Sequence, residues 1–224
     1  MTSTPSSPNG PDRVPVPARL AQAARARGLV VPHITLTHRD PTRPVWGMLD
    51  PQRAWNTLWG KLCQICGRRL EDRVVVFIRS IDYLRGLAVE PGAHPECAHY
   101  SRRACPMLAG VQHHYHASPA VRFAHCDDPN CECRYWQPRD PDPREPSRDG
   151  RPAEAWYEAW LHIDDYRIID DPGSEHAAPA VGVNLTGVRF LKLRKIRDTA
   201  APSGEHRAPE PLDVLITARE LFDF

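Results

Sequence analysis

The sequence lacks several features that would narrow its class. No stretch approaches about 18 uninterrupted apolar residues, which excludes a membrane-spanning helix of ordinary length. The first residues lack a basic stretch followed by an apolar run, so we expect no secretory signal and a cytoplasmic protein. Neither sign of charge predominates, because 29 basic and 28 acidic side chains give a net charge of +1. No global field therefore draws the chain to nucleic acid or to a membrane surface.

Cysteine and proline stand out against this ordinary background, with seven and 24 residues respectively. Cysteines in a cytosolic chain indicate metal binding or reduced thiols before disulfides. The Ser/Pro-rich stretch 1–16 predicts a disordered tail, and the charged proline-rich stretch 138–152 predicts a linker. Between and after them we expect a zinc-binding α+β domain over 17–137 and a β-rich C-terminal part over 153–224, packed on that domain.

The most specific motif consists of two ligand pairs. Cys63 and Cys66, followed by Gly67, are typical of a zinc knuckle, a tight turn that lets both sulfurs face one ion at about 2.3 Å. His94 and Cys97 fall at the cap and third position of a predicted helix, so both lie on the same side of its first turn. The spacing predicts a closed tetrahedral Cys₃His zinc site. The alternative is a set of reduced, unmetallated cysteines in a core.

Cys105 competes with His94 for the fourth position. It follows Cys97 by eight residues, a rise of about 12 Å if both lie in one helix. We therefore expect Cys105 to be a small buried apolar residue and not a ligand.

Hydrophobic periodicity indicates an α+β fold. The stretch 74–78 is typical of a buried strand, and 81–89 could return as its partner. Knuckle, hairpin and helix together would make a small treble-clef-like zinc module joined to a mostly antiparallel β-rich part. Further strands are predicted at 156–163, 166–169, 181–185 and 188–193.

A helix is also predicted just before the knuckle. Asp50 followed by proline is a typical helix start. Trp55, Leu58, Trp59 and Leu62 then recur at helical spacing, which predicts one apolar face directed at the core.

A second group of ligand-type residues lies further along the chain. Cys126, Cys131 and Cys133, with His125, could form a second Cys₃His site. Their spacing is not that of a standard knuckle, so a solvated turn with free thiols remains the alternative.

The histidines at 113–116 suggest an enzymatic alternative. His113, His114 or His116, with Asp127 or Asp128, could serve a metal-dependent nuclease on a treble-clef frame. The strand-borne Asp-His pair and the downstream Asn or His that this chemistry uses are not evident, so we favour a protein without catalytic activity.

A basic run near the C-terminus is a candidate nucleic-acid contact. Its cations, on one predicted strand, could face phosphates. A solvated edge strand protected by its charges explains the run equally well. The residues concerned are Arg189, Lys192, Arg194, Lys195 and Arg197.

The stretches 62–67 and 90–108 resemble a family of bacterial zinc-binding proteins, also found in phages and mobile elements, with no assigned activity. The shared pattern is C-x-x-C-G, then E-P, then H-x-x-C-A-x-Y-x-x-x-x-C-P-x-L. The resemblance implies the zinc ligands Cys63, Cys66, His94 and Cys97 and a bacterial cytosolic setting. The proline-rich tail and the second cysteine group depart from the pattern.

These features together predict a zinc-stabilised binding or adaptor protein. Its partner would be a macromolecule, either protein or nucleic acid, and neither a membrane nor a small-molecule substrate is indicated. A purely structural scaffold is the third possibility.

Overall fold

The fold is known from a computed structural model, which describes residues 14–116, 125–136, 142–144, 148–200 and 208–222. It is mixed α+β with antiparallel sheets, which confirms the predicted class. The strands are β1 Arg25–Ala26, β2 Leu29–Val30, β3 Thr35–Thr37, β4 Pro44–Leu49, β5 Arg73–Ile78, β6 Leu87–Ala88, β7 Trp156–His162, β8 Ile168–Asp171, β9 Ala180–Asn184 and β10 Lys192–Arg197. The helices are α1 Pro51–Trp59, α2 Ser80–Arg85, α3 Pro95–Ala104 and α4 Pro211–Phe222.

The core lies on a sheet of strand order β10–β7–β5, all antiparallel. The β-branched residues of β5 suit a pleated surface that is buried on both faces. Val74 and Val76 of β5 and Tyr157 and Leu161 of β7 are fully buried. Burial of such side chains is the main favourable contribution to folding.

A smaller sheet has the order β6–β9–β8, and two hairpins, β1–β2 and β3–β4, lie earlier in the chain. Each of the two three-stranded sheets combines strands from the stretch 17–137 with strands from 153–224. The predicted C-terminal part thus shares its sheets with the predicted zinc-binding domain. Of the predicted tail at 1–16, only residues 14–16 are among the described ones. Of the predicted linker at 138–152, residues 142–144 and 148–152 are described and the rest lies outside the described residues.

The predicted hairpin between 74–78 and 81–89 is wrong. The chain after β5 turns into α2, where the Asp82 carboxylate accepts a hydrogen bond from the backbone N–H of Arg79 at 2.8 Å and caps the helix. β5 pairs instead with β7, and β6 pairs with β9. Local capping and distant strand pairing together outweigh the apolar pattern that suggested a hairpin.

Helix α1 begins as predicted, with the Asp50 carboxylate accepting from the Arg53 N–H at 2.9 Å. Its apolar face is only partly buried, however. Leu58 is 4% exposed, whereas Trp55 and Trp59 are 47% and 48% exposed and contact each other at a centroid distance of 5.8 Å. The tryptophans thus stabilise each other at the surface and not in the core.

Among the described residues, none of the helices combines the length and the apolar character that crossing a membrane demands.

Candidate metal centres

The knuckle is a tight turn closed by its own backbone. The Cys63 N–H donates to the Arg68 carbonyl at 2.7 Å, and the Gly67 N–H donates to the Cys63 carbonyl at 2.9 Å. Gly67 has a φ of +70°, and a Cβ there would lie 2.8 Å from the His33 ring. Glycine is therefore needed both for the backbone conformation and for space.

The segment before α3 is bonded to both the knuckle and the central sheet. The Gln64 N–H donates to the Gly92 carbonyl at 2.9 Å. Ala93 and Val75 exchange two backbone hydrogen bonds of 2.8 and 2.9 Å. These contacts fix the start of α3 beside the knuckle turn, with His94 as the N-cap residue.

This frame brings all four predicted ligands together. The first cluster consists of Cys63, Cys66, His94 and Cys97, whose ligand atoms all lie within 4.8 Å of one another. The Cys66 Sγ lies 3.4 Å from the His94 Nδ1, close to the separation of about 3.6 Å that tetrahedral zinc imposes on a sulfur and a nitrogen. The spacing and the donor set fit a zinc ion.

The second ring nitrogen of His94 is also occupied. Its Nε2–H donates to the Arg69 carbonyl at 2.9 Å, which leaves Nδ1 as the nitrogen that faces the sulfurs. Metal-ligating histidines characteristically hold their tautomer through such a bond. His94 is 1% exposed, and Cys63 and Cys97 are fully buried.

The four groups of the first cluster shift one another's protonation. Hydrogen bonds from Cys63 and Cys97 lower the pKa of the Cys66 thiol, while contact with the sulfurs of Cys63 and Cys66 raises the pKa of Cys97. Burial disfavours the charged imidazole, but the neighbouring sulfurs outweigh it and raise the pKa of His94 to about 10. A divalent ion would let all three sulfurs be thiolates at once.

Cys105 lies outside the first cluster. It follows the last residue of α3 and is partly buried against the core. Burial raises the pKa of its thiol, as expected for an apolar role.

Comparisons with family models, curated proteins and solved structures give no match.

A second cluster of ligand atoms lies within the same 4.8 Å limit and comprises His38, Cys126, Cys131 and Cys133. The three predicted cysteines converge, but the histidine is His38 and not the predicted His125, which is exposed and outside the cluster. His125 precedes Cys126 directly, whereas His38 approaches from the turn that follows β3. None of the seven cysteines, all of which lie among the described residues, forms a disulfide.

The histidines of the enzymatic alternative do not assemble a centre among the described residues. His113, His114 and His116 are exposed and belong to no group of three or more potential metal ligands there. Asp127 is exposed, and Asp128 pairs with Arg39 at 3.6 Å.

The basic run is largely engaged within the protein. Arg197 is buried and donates to the carbonyls of Met107 and Gln112 at 2.7 and 2.8 Å. Lys195 bonds the carboxylates of Asp198 and Asp213. Of the other residues in the run, Arg194 pairs with Glu158, and Arg189 and Lys192 are exposed.

Sequence reasoning missed His38 and the supporting contacts of Arg69 and Gly92. His38 lies 93 residues from Cys131, so no local spacing could reveal it. The hydrogen bonds of Arg69 and Gly92 use backbone carbonyls, which leave no trace in residue identity.

Proposed function

We propose that the protein is a zinc-stabilised cytosolic binding protein of bacterial or phage origin. The metal holds the fold, and a surface elsewhere contacts a macromolecular partner. The observation that carries this proposal is the closed first cluster. Three sulfurs and one imidazole occupy all four positions of tetrahedral zinc, which leaves none for water or substrate.

The zinc module we propose is treble-clef-like in its ligands. The knuckle supplies Cys63 and Cys66, and the first turn of α3 supplies His94 and Cys97. Between them the chain runs through β5, α2 and β6 and not through a simple hairpin. Zinc would thus join two segments that are separated along the chain by β5, α2 and β6.

The surface best suited to a partner is a cationic cleft between the end of α3 and β10. It has a volume of about 480 Å³ and is lined by Arg102, Arg103, Arg194 and Lys195. Glu158, 2% exposed, lies against Arg194 and, at 4.0 Å, against Arg102. Lys195 also bonds the carboxylates of Asp198 and Asp213, so the four lining cations outnumber these three carboxylates by one. This excess of positive charge favours an anionic partner, either nucleic acid or an acidic protein.

Loss of one ligand tests the structural role of the metal. We expect Cys97→Ser to lose one zinc equivalent and much of the thermal stability, because structural zinc contributes about 10–16 kcal/mol to folding in small domains. Cys105→Ser is the matched control, because it changes a cysteine just beyond the same helix but outside the cluster. Metal analysis and thermal unfolding measure both. Protein purified without metal and with unchanged melting would contradict the proposal.

A pull-down from a bacterial lysate, with and without nuclease, separates the two classes of partner. Arg103→Glu should reduce capture, since Arg103 is exposed in the cleft. Arg25→Glu makes the same charge change on the exposed face of β1, outside the cleft, and should leave capture intact. Equal effects of the two variants would exclude the cleft. Binding of labelled oligonucleotides over a salt series then shows whether phosphate contacts carry the affinity.

A further inference from the structure

The second cluster joins two parts of the chain that are remote in sequence. Its histidine, His38, follows β3, and its three cysteines lie in the segment 125–136. We propose that His38, Cys126, Cys131 and Cys133 form a second Cys₃His zinc site, which fastens the segment 125–136 to the β3–β4 hairpin.

The distances match those of a tetrahedral zinc site. The Cys126 and Cys133 sulfurs lie 3.6 Å apart, and the Cys131 sulfur lies 3.7 Å from the His38 Nδ1. Zinc with tetrahedral geometry separates two sulfurs by about 3.8 Å and a sulfur from a nitrogen by about 3.6 Å. Cys131 and Cys133 are 2% and 1% exposed. Three thiols and an imidazole are thus held at ligand spacing, with two of the thiols withdrawn from solvent.

Backbone donors already point at the sulfurs. The Arg39 N–H donates to the Cys131 Sγ at 3.3 Å, and the Cys126 N–H donates to the Cys133 Sγ at 3.3 Å. Such bonds stabilise thiolate charge and orient ligating sulfurs. His38 is held in turn, because its backbone N–H bonds the Arg43 carbonyl at 3.0 Å.

The segment has few other means of attachment. Its only regular structure is a short 3₁₀ turn at Glu132–Tyr135, and neither Cys131 nor Cys133 belongs to the main hydrophobic core. The remaining contacts include the exposed Arg39–Asp128 ion pair and the His38 ring, 5.0 Å from that of Trp136. Exposed ion pairs contribute about 1 kcal/mol or less. A metal ion therefore provides the strongest attachment available to this segment.

The two clusters differ in their relation to the core. Cys63 and Cys97 of the first cluster are members of the main core, so losing that metal affects the whole fold. Losing the metal of the second cluster should release only the segment 125–136. The second site is independent of the proposed function, and the two proposals can fail separately.

The test is a zinc count by native mass spectrometry on the full chain purified with zinc. We expect two ions in the wild type and one in His38→Ala. His125→Ala should keep both, because this neighbouring histidine lies outside the cluster. His38→Cys should also keep both, since a fourth thiolate can replace the imidazole.

Hydrogen exchange supplies a second measurement that does not depend on metal analysis. In His38→Ala, amides of 125–136 should exchange faster while those of β5 and β7 stay protected. Two ions retained in His38→Ala, or one lost in His125→Ala, would overturn the proposal. So would a single ion in the wild type that Cys97→Ser removes, or a disulfide among Cys126, Cys131 and Cys133 in the native protein. An ion lost in Cys97→Ser but retained in Cys105→Ser reports on the first cluster alone.

Discussion

Glu90 should make the stability of the protein fall as pH rises. It opens the turn between β6 and α3, the turn that leads to His94. Glu90 is partly buried. Its withdrawal from water, together with the negative charge of Asp82, outweighs the attraction of Arg79 and Arg148 and raises the pKa of Glu90 from 4.5 to about 7. The carboxyl group is therefore partly protonated at neutral pH, and its ionised form is disfavoured in the folded protein.

The sign and size of the effect of Glu90 on stability follow from proton linkage. Below the unfolded pKa both states bind the proton and Glu90 has no effect on stability. Between the two pKa values the folded state alone retains the proton, and above the folded pKa both states have lost it and the cost stays constant. Each unit between the two pKa values corresponds to about 1.4 kcal/mol, so the ionised carboxylate costs about 1 kcal/mol near pH 5 and about 3 kcal/mol near pH 8. Glu90→Gln, a neutral isostere, should stabilise the protein by these amounts.

Urea unfolding followed by tryptophan fluorescence measures the effect, at a fixed free zinc concentration over this pH range. The pH dependence of metal binding is common to wild type and Glu90→Gln, and cancels in the difference between them. Glu154→Gln is the control of opposite sign. Burial raises the Glu154 pKa, but Arg79 outweighs it and lowers the value, so that carboxylate stabilises above its unfolded pKa and loses this effect as pH falls. A Glu90→Gln difference that does not change with pH would refute the reasoning.

Gly67→Ala and Tyr166→Phe test the frame of the first cluster, and Gly28→Ala is the control for the first of them. Gly28→Ala should cost about 1–2 kcal/mol for its left-handed backbone alone, because no atom lies within 4 Å of the added carbon. Gly67→Ala should cost about 1–3 kcal/mol more through overpacking against His33, and equal unfolding free energies for the two variants would contradict this. Tyr166→Phe should cost about 1–3 kcal/mol in urea unfolding, because it removes the acceptor of the buried Gly92 N–H, bonded at 2.9 Å; an unchanged midpoint would show that another acceptor replaces it.

The first cluster could be predicted from sequence because its geometry is local. Two residues between Cys63 and Cys66 define a knuckle, and two between His94 and Cys97 span one helix turn. Each pair is preorganised by its own backbone, so only one long-range contact remained to be inferred. The second cluster is different, because His38 reaches the cysteines only after the chain has folded.

Strand pairing was the least predictable part of the fold. The composition of β5 identifies it as a buried strand, but pairing is decided by complementary partners anywhere in the chain. β7 offers a longer matching strand, pairing along the whole of β5, whereas β6 spans only two residues. The exposed Trp55 and Trp59 show the same limit for helices, since periodicity defines a face without determining what covers it.

The basic run shows how strand geometry restricts a binding surface. Lys192 and Arg194 lie opposite Trp160 and Glu158 on β7, whereas Lys195 lies opposite Tyr157. Side chains alternate between the faces of a sheet, so Lys195 does not share a face with Lys192 and Arg194. Only at the edge of β10 do Arg194 and Lys195 both line the cleft. An anionic partner would more readily use the cleft, where the arginines of α3 approach the edge of β10 and add charge that the strand alone does not present. Any nucleic-acid or acidic-protein contact is therefore expected to depend on residues from both α3 and β10. Charge reversal at Arg103 of α3 tests that surface more sharply than charge reversal within β10.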